Sequence, residues 1–319
     1  MNDISYTTEE IASILKVSKL TVYDLIKKGE LAAYRVGRQM RIDAKDLEAY
    51  KARTKKGAYA SPQSAPAPPA FSPVSQTPSV PAGQARSIVI SGQDISLDIL
   101  AKHMEKPQTT YRLLRSYMGS LNGLISMYRG EADIVSTHLW DGDSGEYNIP
   151  YIQKILVGHR YLVVNLLSRW VGFYVEKGNP KHIEQWTDIN KPGIRFVNRE
   201  KGAGARVLLD EQLRLHQLLP GTIHGYEREE TNHLGVAGAI ASGEADVGLG
   251  IEKAAYIVGI DFVPLIKERY DLVVLKSESN QPLCDLLLST LRSSSFQHKL
   301  NAIGGYDLSL TGKIVYETP

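Results

Sequence analysis

SIVISGQDISLDILAKHM, residues 87–104, is the stretch from which the class of the larger part of this chain is read. Ser87-Ile88-Val89-Ile90 is a short apolar run of strand length, Ser91-Gly92-Gln93-Asp94 turns the chain, and Ile95–Met104 reads as helix. Other strand-like runs follow at Ala132–Ser136, Ile194–Val197, Ala245–Leu249 and Leu272–Leu275, with helical stretches between them. That alternation predicts an α/β fold with mostly parallel sheets. In such folds ligands sit at the carboxyl ends of strands, beside helix N-termini.

Working outward, residues 57–86 break the pattern. Seven of the fifteen prolines fall there among Ala, Ser and Gln, with Arg86 the single charge. Such a stretch supplies no packed core and predicts a semi-extended linker, reaching at most roughly 90 Å at about 3.1 Å per residue. Around it, 319 residues suffice for two or three domains, and 43% hydrophobic with 23% charged residues is an ordinary globular composition. The net charge of +2 is unevenly spread. Residues 1–56 hold twelve Lys/Arg against eight Asp/Glu, while 57–319 hold 25 against 27. A basic head and a near-neutral body fit nucleic-acid binding by the head. No apolar run approaches the roughly 18 residues of a membrane span. Met1-Asn2-Asp3-Ile4-Ser5 lacks the basic start and apolar stretch of a secretory signal, so the expected location is the cytoplasm. The lone cysteine, Cys284, fits a reducing compartment and a core position in the apolar run Leu283–Leu291.

Residues 6–53 read as helix, turn, helix, hairpin, helix. Thr7 or Thr8 can cap a helix carrying Ile11, Ile14 and Leu15 on one face, with Glu9 and Glu10 in its favourable first turn. Val17-Ser18 is a turn, Ser18 a natural N-cap, and Gly29 a C-terminal stop for a second helix. Ala33–Ile42 alternates around Gly37 as a two-stranded wing, and Asp43 opens a final helix through Leu47 and Tyr50. The chemistry this suits is contact with double-stranded DNA. The candidate contacts are Thr8, Ser18, Lys19, Thr21, Tyr23 and Lys27 from the helices, and Arg35, Arg38 and Arg41 from the wing.

In the body, four loops are rich in Gly, Ser and Thr: Ser91–Asp94, Gly119-Ser120, Ser136-Thr137-His138 and Lys201–Arg206. Backbone N–H groups, hydroxyls and a following helix together cradle an oxyanion. The candidate ligand residues are Ser91, Asp94, Ser120, Thr137, Ala203, Gly204, Ala205, Arg206, Tyr226 and Thr231. Catalytic and cofactor motifs are missing. Gly202-Ala203-Gly204 lacks the third glycine of a dinucleotide loop, and neither Gly-Lys-Ser/Thr nor Gly-x-Ser-x-Gly occurs. His216, His224 and His233 do not have metal-ligand spacing and read as surface or core residues.

Two resemblances follow. Tyr6–Ala12, Val17-Ser18, Thr21-Val22-Tyr23, Lys28–Leu31 and Val36-Gly37-Arg38 resemble the excisionase-type winged helix-turn-helix related to the MerR family. In the body, Ser91-Gly92-x-Asp94, Gly119-Ser120-Leu121-x-Gly123-Leu124, Arg129–Asp133, Thr137-His138-Leu139, Gly145–Asn148, Gly178-Asn179-Pro180, Arg195–Arg199, Gly225–Glu229 and Ala245–Gly250 occur in order. They resemble the periplasmic-binding-protein-like domain related to molybdate-binding proteins. The resemblance implies a two-lobed domain of the type II kind, with lobe 1 at about 87–170 and 270–319 and lobe 2 at about 171–269. The hinge is expected near Trp170–Tyr174 and Arg269–Val273. It further implies a ligand-responsive transcriptional regulator, molybdate or tungstate as the ligand, and no cofactor. Where that family commonly has Gly-Ser-Gly-Thr-Arg, this chain has Gly202-Ala203-Gly204-Ala205-Arg206, without the two hydroxyls. A homodimer or higher oligomer is expected because one small head makes few base contacts. The alternatives are a regulator of another small molecule, a ligand-independent recombination factor, a transporter's solute-binding component, and an enzyme.

Overall fold

The computed structural model describes residues 5–15, 17, 19–27, 31–36, 39–55, 85–105 and 110–319. Met1–Pro78 and Ser79–Pro319 form two separate compact units. The expected linker lies almost wholly outside the described residues.

The head runs β1 (Ser5–Thr7), α1 (Thr8–Leu15), α2 (Lys19–Lys27), β2 (Tyr34–Val36), β3 (Gln39–Asp43) and α3 (Ala44–Lys55). Thr7 is the cap of α1: Glu10 N donates to Thr7 Oγ1 at 3.3 Å, and Thr7 N donates back to Glu10 Oε2 at 2.8 Å. Strand β1 was not expected, being too short for a periodic signal. It pairs antiparallel with β3, whose other edge carries β2. Ile11, Val22, Leu31, Ile42 and Leu47, each at most 3% exposed, form the core that holds these pieces together.

The body opens with β4 (Arg86–Ser91), α4 (Ser96–Met104), β5 (Tyr111–Ser116), α5 (Ser120–Tyr128) and β6 (Ile134–Thr137). A small hairpin of β7 (Trp140–Asp141) and β8 (Glu146–Tyr147) leads into α6 (Ile149–Ile155) and β9 (Tyr161–Val175). Next come β10 (Phe196–Arg199), α7 (Gly204–Leu215), β11 (Glu229–Glu230), α8 (His233–Ala241), β12 (Val247–Ile251) and α9 (Glu252–Val258). The chain finishes with β13 (Asp261–Leu275), α10 (Gln281–Leu291), α11 (Ser294–Ile303) and β14 (Ile314–Glu317). Among the described residues, no helix is long and apolar enough to cross a membrane.

The sheet order is β11-β10-β12-β9-β13-β6-β4-β5, with β14 also on β9. The expectation of mostly parallel sheets needs correction. Pairing is parallel at the flanks, β4 with β5 and β6, and β10 with β11 and β12. At the centre, β9 and β13, 15 residues each, run antiparallel to one another from Tyr161↔Leu275 to Val175↔Asp261. They are also antiparallel to β12, β6 and β14. Nearly all of β9 is buried, so its sequence has no alternation by which to announce a strand.

These two strands cross between separate cores. Below the crossing, Val163, Val164, Leu167, Leu272 and Val274 pack with α4, α5, α6, α10 and α11 as lobe 1. Above it, Val171, Phe173, Tyr174 and Val175 pack with α7, α8 and α9 as lobe 2. The pairing of β13 with β9 shifts register between Pro264 and Ile266 and again between Tyr270 and Asp271. Bulges of this kind bend a strand pair where it passes from one core to the next. Cys284 is buried in the core of lobe 1.

Candidate ligand cleft and DNA-binding head

A cavity of about 250 Å³ lies between the lobes. Four helices of eight residues or more begin on it. Asp94 and Ile95 precede α4, Gly119 and Ser120 open α5, Ala203 and Gly204 open α7, and Asn232 and His233 open α8. Each helix start brings roughly half a positive charge, so their convergence favours an anion, although at α4 the N–H of Ser96 is already taken by Asp94 Oδ1 at 2.7 Å and that of Leu97 by Asp94 O at 3.1 Å.

The floor is an ionic cluster on the hinge strands. Arg169 of β9 stands directly across from Glu268 of β13 in the strand register. Arg169 Nε donates to Glu268 Oε1 at 2.5 Å, and Arg169 Nη1 donates to Asp94 Oδ2. Glu268 Oε2 meets His138 Nδ1 at 2.9 Å, and Tyr306 Oη donates to Asp94 Oδ1 at 2.9 Å. The guanidinium of Arg169 lies 4.5 Å from the ring centroid of Tyr270, whose hydroxyl is 2.7 Å from Ser136 Oγ. Burial alone would raise the Glu268 carboxyl, but His138 and Arg169 beside it hold it down at about 2. Burial, then the cations Arg199 and Arg169, keep the His233 imidazole well below its ordinary value and therefore neutral. Burial also lowers the Lys253 ammonium.

The lobes are closed on one another. Leu121 N donates to Gly202 O at 3.1 Å across the gap. Gln93 of lobe 1 donates to Glu200 Oε1 at 3.1 Å and accepts from Arg199 Nη2 at 2.6 Å. On another side Lys253 Nζ donates to Ile303 O at 3.0 Å. The β7–β8 hairpin clasps α7, with Gly142 N donating to Glu211 Oε2 and Arg214 Nη2 to Asp143 Oδ1. Two glycines make the approach possible. A Cβ at Gly119 would stand 2.8 Å from Gly202 O and 2.9 Å from Ala203 Cα, and one at Gly204 would stand 2.5 Å from the His138 ring.

Of the residues expected to bind ligand, Asp94, Ser120, Ala203 and Gly204 line the cavity, Ser120 Oγ accepting from His138 N at 3.2 Å. Thr231 stands at its lip, its carbonyl accepting from Gln93 Nε2 at 3.4 Å. The other five are corrected. Ser91 is buried with its hydroxyl against Gly123 of α5. Thr137 turns away and donates to Asn148 Oδ1 at 3.2 Å, because alternate strand residues face opposite ways and Ser136 and His138 take the cavity side. Ala205 packs in the core of lobe 2. Arg206 donates to Arg199 O and Glu229 and lies over the Tyr226 ring, while Tyr226 Oη donates to Asp210 at 2.5 Å. Both are spent inside lobe 2. The residues not expected are Gln93, His138, Arg169, Arg199, Lys253, Tyr270, Tyr306 and His233, the last read from sequence as surface or core.

In the head, α2 exposes Lys19, Thr21 and Tyr23, and Lys19 pairs with Glu9 of α1. Tyr23 is 42% exposed, one turn from Lys19 on the same face. Arg41 on β3 is half-buried. Thr8 is corrected: it is 3% exposed and donates its hydroxyl to Glu9 Oε2 at 3.1 Å. Ser18 and Arg38 lie outside the described residues, as do the side chains of Lys27 and Arg35.

The family model described as PBP superfamily domain matches residues 101–292, and that described as helix-turn-helix domain matches 5–55. The chain is 48% identical over 320 residues to the uncharacterized protein YvgK of Bacillus subtilis (strain 168), covering 100% of each. It is 35% identical over 115 residues to a sulfate-binding protein of Synechococcus elongatus, 33% of this chain and 31% of that one. The solved structure of the sulfate-binding protein SubI from Mycobacterium tuberculosis superposes with a TM-score of 0.50 and 15% identity, covering 70% of this chain and 86% of that one. That likeness is one of fold.

Proposed function

The chain belongs to the PBP superfamily and carries a helix-turn-helix domain, and from that premise we propose that it is a ligand-responsive, DNA-binding transcriptional regulator. The observation that carries the reading is the convergence of four helix starts on a cavity between two lobes. A small anion enters the open cleft, the lobes close over it, and closure alters how the head holds double-stranded DNA. The thermodynamic condition is that the anion bind the closed state more tightly than the open one. Molybdate and tungstate, which the resemblance implies, are the inorganic occupants to try first. In this reading the protein works in the cytoplasm as a homodimer, each head reading one half-site.

The test is fluorescence anisotropy with DNA from the region upstream of its own reading frame, without and with each anion. A functional coupling changes DNA affinity by about fivefold or more. Indifference to every anion that binds the body would leave a DNA-binding protein without a sensor. Two substitutions separate the parts. Ser120→Ala removes a hydroxyl at the start of α5 and is expected to weaken anion binding about two- to tenfold, with DNA affinity of the unliganded protein unchanged. Arg38→Ala is expected to lower DNA affinity and to flatten its salt dependence by about one unit of slope, as for one lost phosphate contact. A salt series on the variant reads that slope directly.

A further inference from the structure

Resting on the reading of this cavity as the sensing site, we infer that its ligand is a small organic anion carrying an apolar group of aromatic size. Three observations point away from a bare inorganic oxyanion. The first is room. At about 30 Å³ for each water, a five-atom tetrahedral ion takes the space of about two or three waters. The cavity of about 250 Å³ holds considerably more.

The second is the rim. Ile95 and Met118 of lobe 1 face the cavity together with Leu234 and Ile257 of lobe 2. They are 52%, 40%, 49% and 60% exposed. Exposed apolar residues scattered singly need no explanation, but four gathered on one opening, two from each lobe, form a surface with something to cover. They are not overflow from the cores. On α8 and α9 the core positions belong to Val236, Ala237, Ala254 and Ala255, all buried.

The third is charge. Arg169 is matched by Asp94 and Glu268, and Arg199 by Glu200. Among the described lining residues, Lys253 is the cation without a carboxylate partner, its ammonium resting on Ile303 O. With the helix starts, this suits one anionic head group of low charge. A carboxylate therefore sits on the helix starts and Lys253, with its apolar body between the four rim side chains, and a phosphate monoester, with up to about twice the charge, is the less well matched head group. Small pockets lined largely by apolar side chains with a few fixed polar groups bind organic ligands in this manner.

The test uses the full chain and matched pairs of probes: phosphate with phenyl phosphate and acetate with benzoate, alongside molybdate and tungstate, in thermal unfolding and calorimetric titration. The aromatic member of at least one pair is expected to raise Tm by about 5–10 °C at a hundredfold excess over its Kd, and its partner by much less. The uncharged substitutions Leu234→Gln and Ile257→Gln are expected to weaken the aromatic member about tenfold and to leave the small member's response unchanged. A response to molybdate, tungstate or phosphate equal to or greater than any aromatic probe would overturn this inference and leave the sensor standing. Silence toward every anion would overturn the anion cleft itself. An aromatic response that survives both substitutions would overturn the placement at the rim.

Discussion

Gly119→Ala is expected to hold the two lobes apart, lowering the closed population by about five- to 150-fold. The backbone of Gly119 has φ −67° and ψ 162°, a conformation that alanine adopts freely, so the change carries no local strain. Its whole effect comes from the far side of the cleft. The added methyl would meet Gly202 O at 2.8 Å, Ala203 Cα at 2.9 Å and Ala203 N at 3.0 Å. All three are backbone atoms, which no rotamer change can move. Overpacking of this kind costs about 1–3 kcal/mol, and here the cost falls on the closed state alone. The neighbouring bond from Leu121 N to Gly202 O is lost as well. Trp140 reports the change, since it belongs to the lobe 1 hairpin yet packs against the core of lobe 2. In a background with Trp170 and Trp186 replaced by Phe, opening exposes the indole and shifts its emission to longer wavelength. Emission identical to the parent's would show that closure at this edge is not what the glycine permits.

Arg169→Leu is expected to destabilise the body by about 3–5 kcal/mol at pH 7, the largest single effect foreseen in it. The side chain is 4% exposed and separates two carboxylates, Asp94 and Glu268, that are 2% and 1% exposed. Leucine restores volume but leaves both buried without their guanidinium. The pH dependence has a defined sign. In the parent, Glu268 titrates at about 2, below its unfolded value near 4.5. Its contribution to stability is therefore full above about pH 4.5 and is lost as pH falls toward 2. Without Arg169, burial is opposed at Glu268 by His138 alone, so its carboxyl rises from the parent's position, and the variant carries a penalty that protonation relieves. The difference between the two proteins is thus largest at neutral pH and narrows as pH falls toward 4. Urea unfolding at pH 7, 5.5 and 4 measures it, and a difference that widened with acid would contradict the arrangement.

Where the sequence revealed these features and where it hid them follows from geometry. Gly119-Ser120 and Ala203-Gly204 were legible because small residues before a helix have one common use, a close approach to its N-terminus. Asp94 was legible from its place in such a turn. Thr137 was misassigned by one position, since a strand's alternation puts Ser136 and His138 on the side that matters. Arg206 follows Gly204 by two residues, which on a helix carries it off the face that the cavity sees, toward Asp210 and Arg199 O. Arg169 and Glu268 were hidden for a different reason. They are 99 residues apart, and their pairing exists only through the register of two long strands. A signal was present in retrospect, an arginine inside the apolar run 161–175, where a charge is costly unless matched. The parallel flanks were visible as short strands alternating with helices, and Leu272–Leu275 showed the end of β13, while β9, buried on both faces, had no period to read.

The crossing of β9 and β13 also bears on how a two-lobed domain of this superfamily diversifies. Lobe 2 is one uninterrupted stretch, from about Val171 to Ile266, entered and left by adjacent strands. Lobe 1 is assembled from two stretches on either side of it. Two recombination points, at neighbouring positions in space, would exchange one entire wall of the cavity and leave the opposite wall and the head untouched. New ligand preferences can then be inherited as a cassette, and a chimaera joined at those two strands is a practical way to graft one sensor's taste onto another's output.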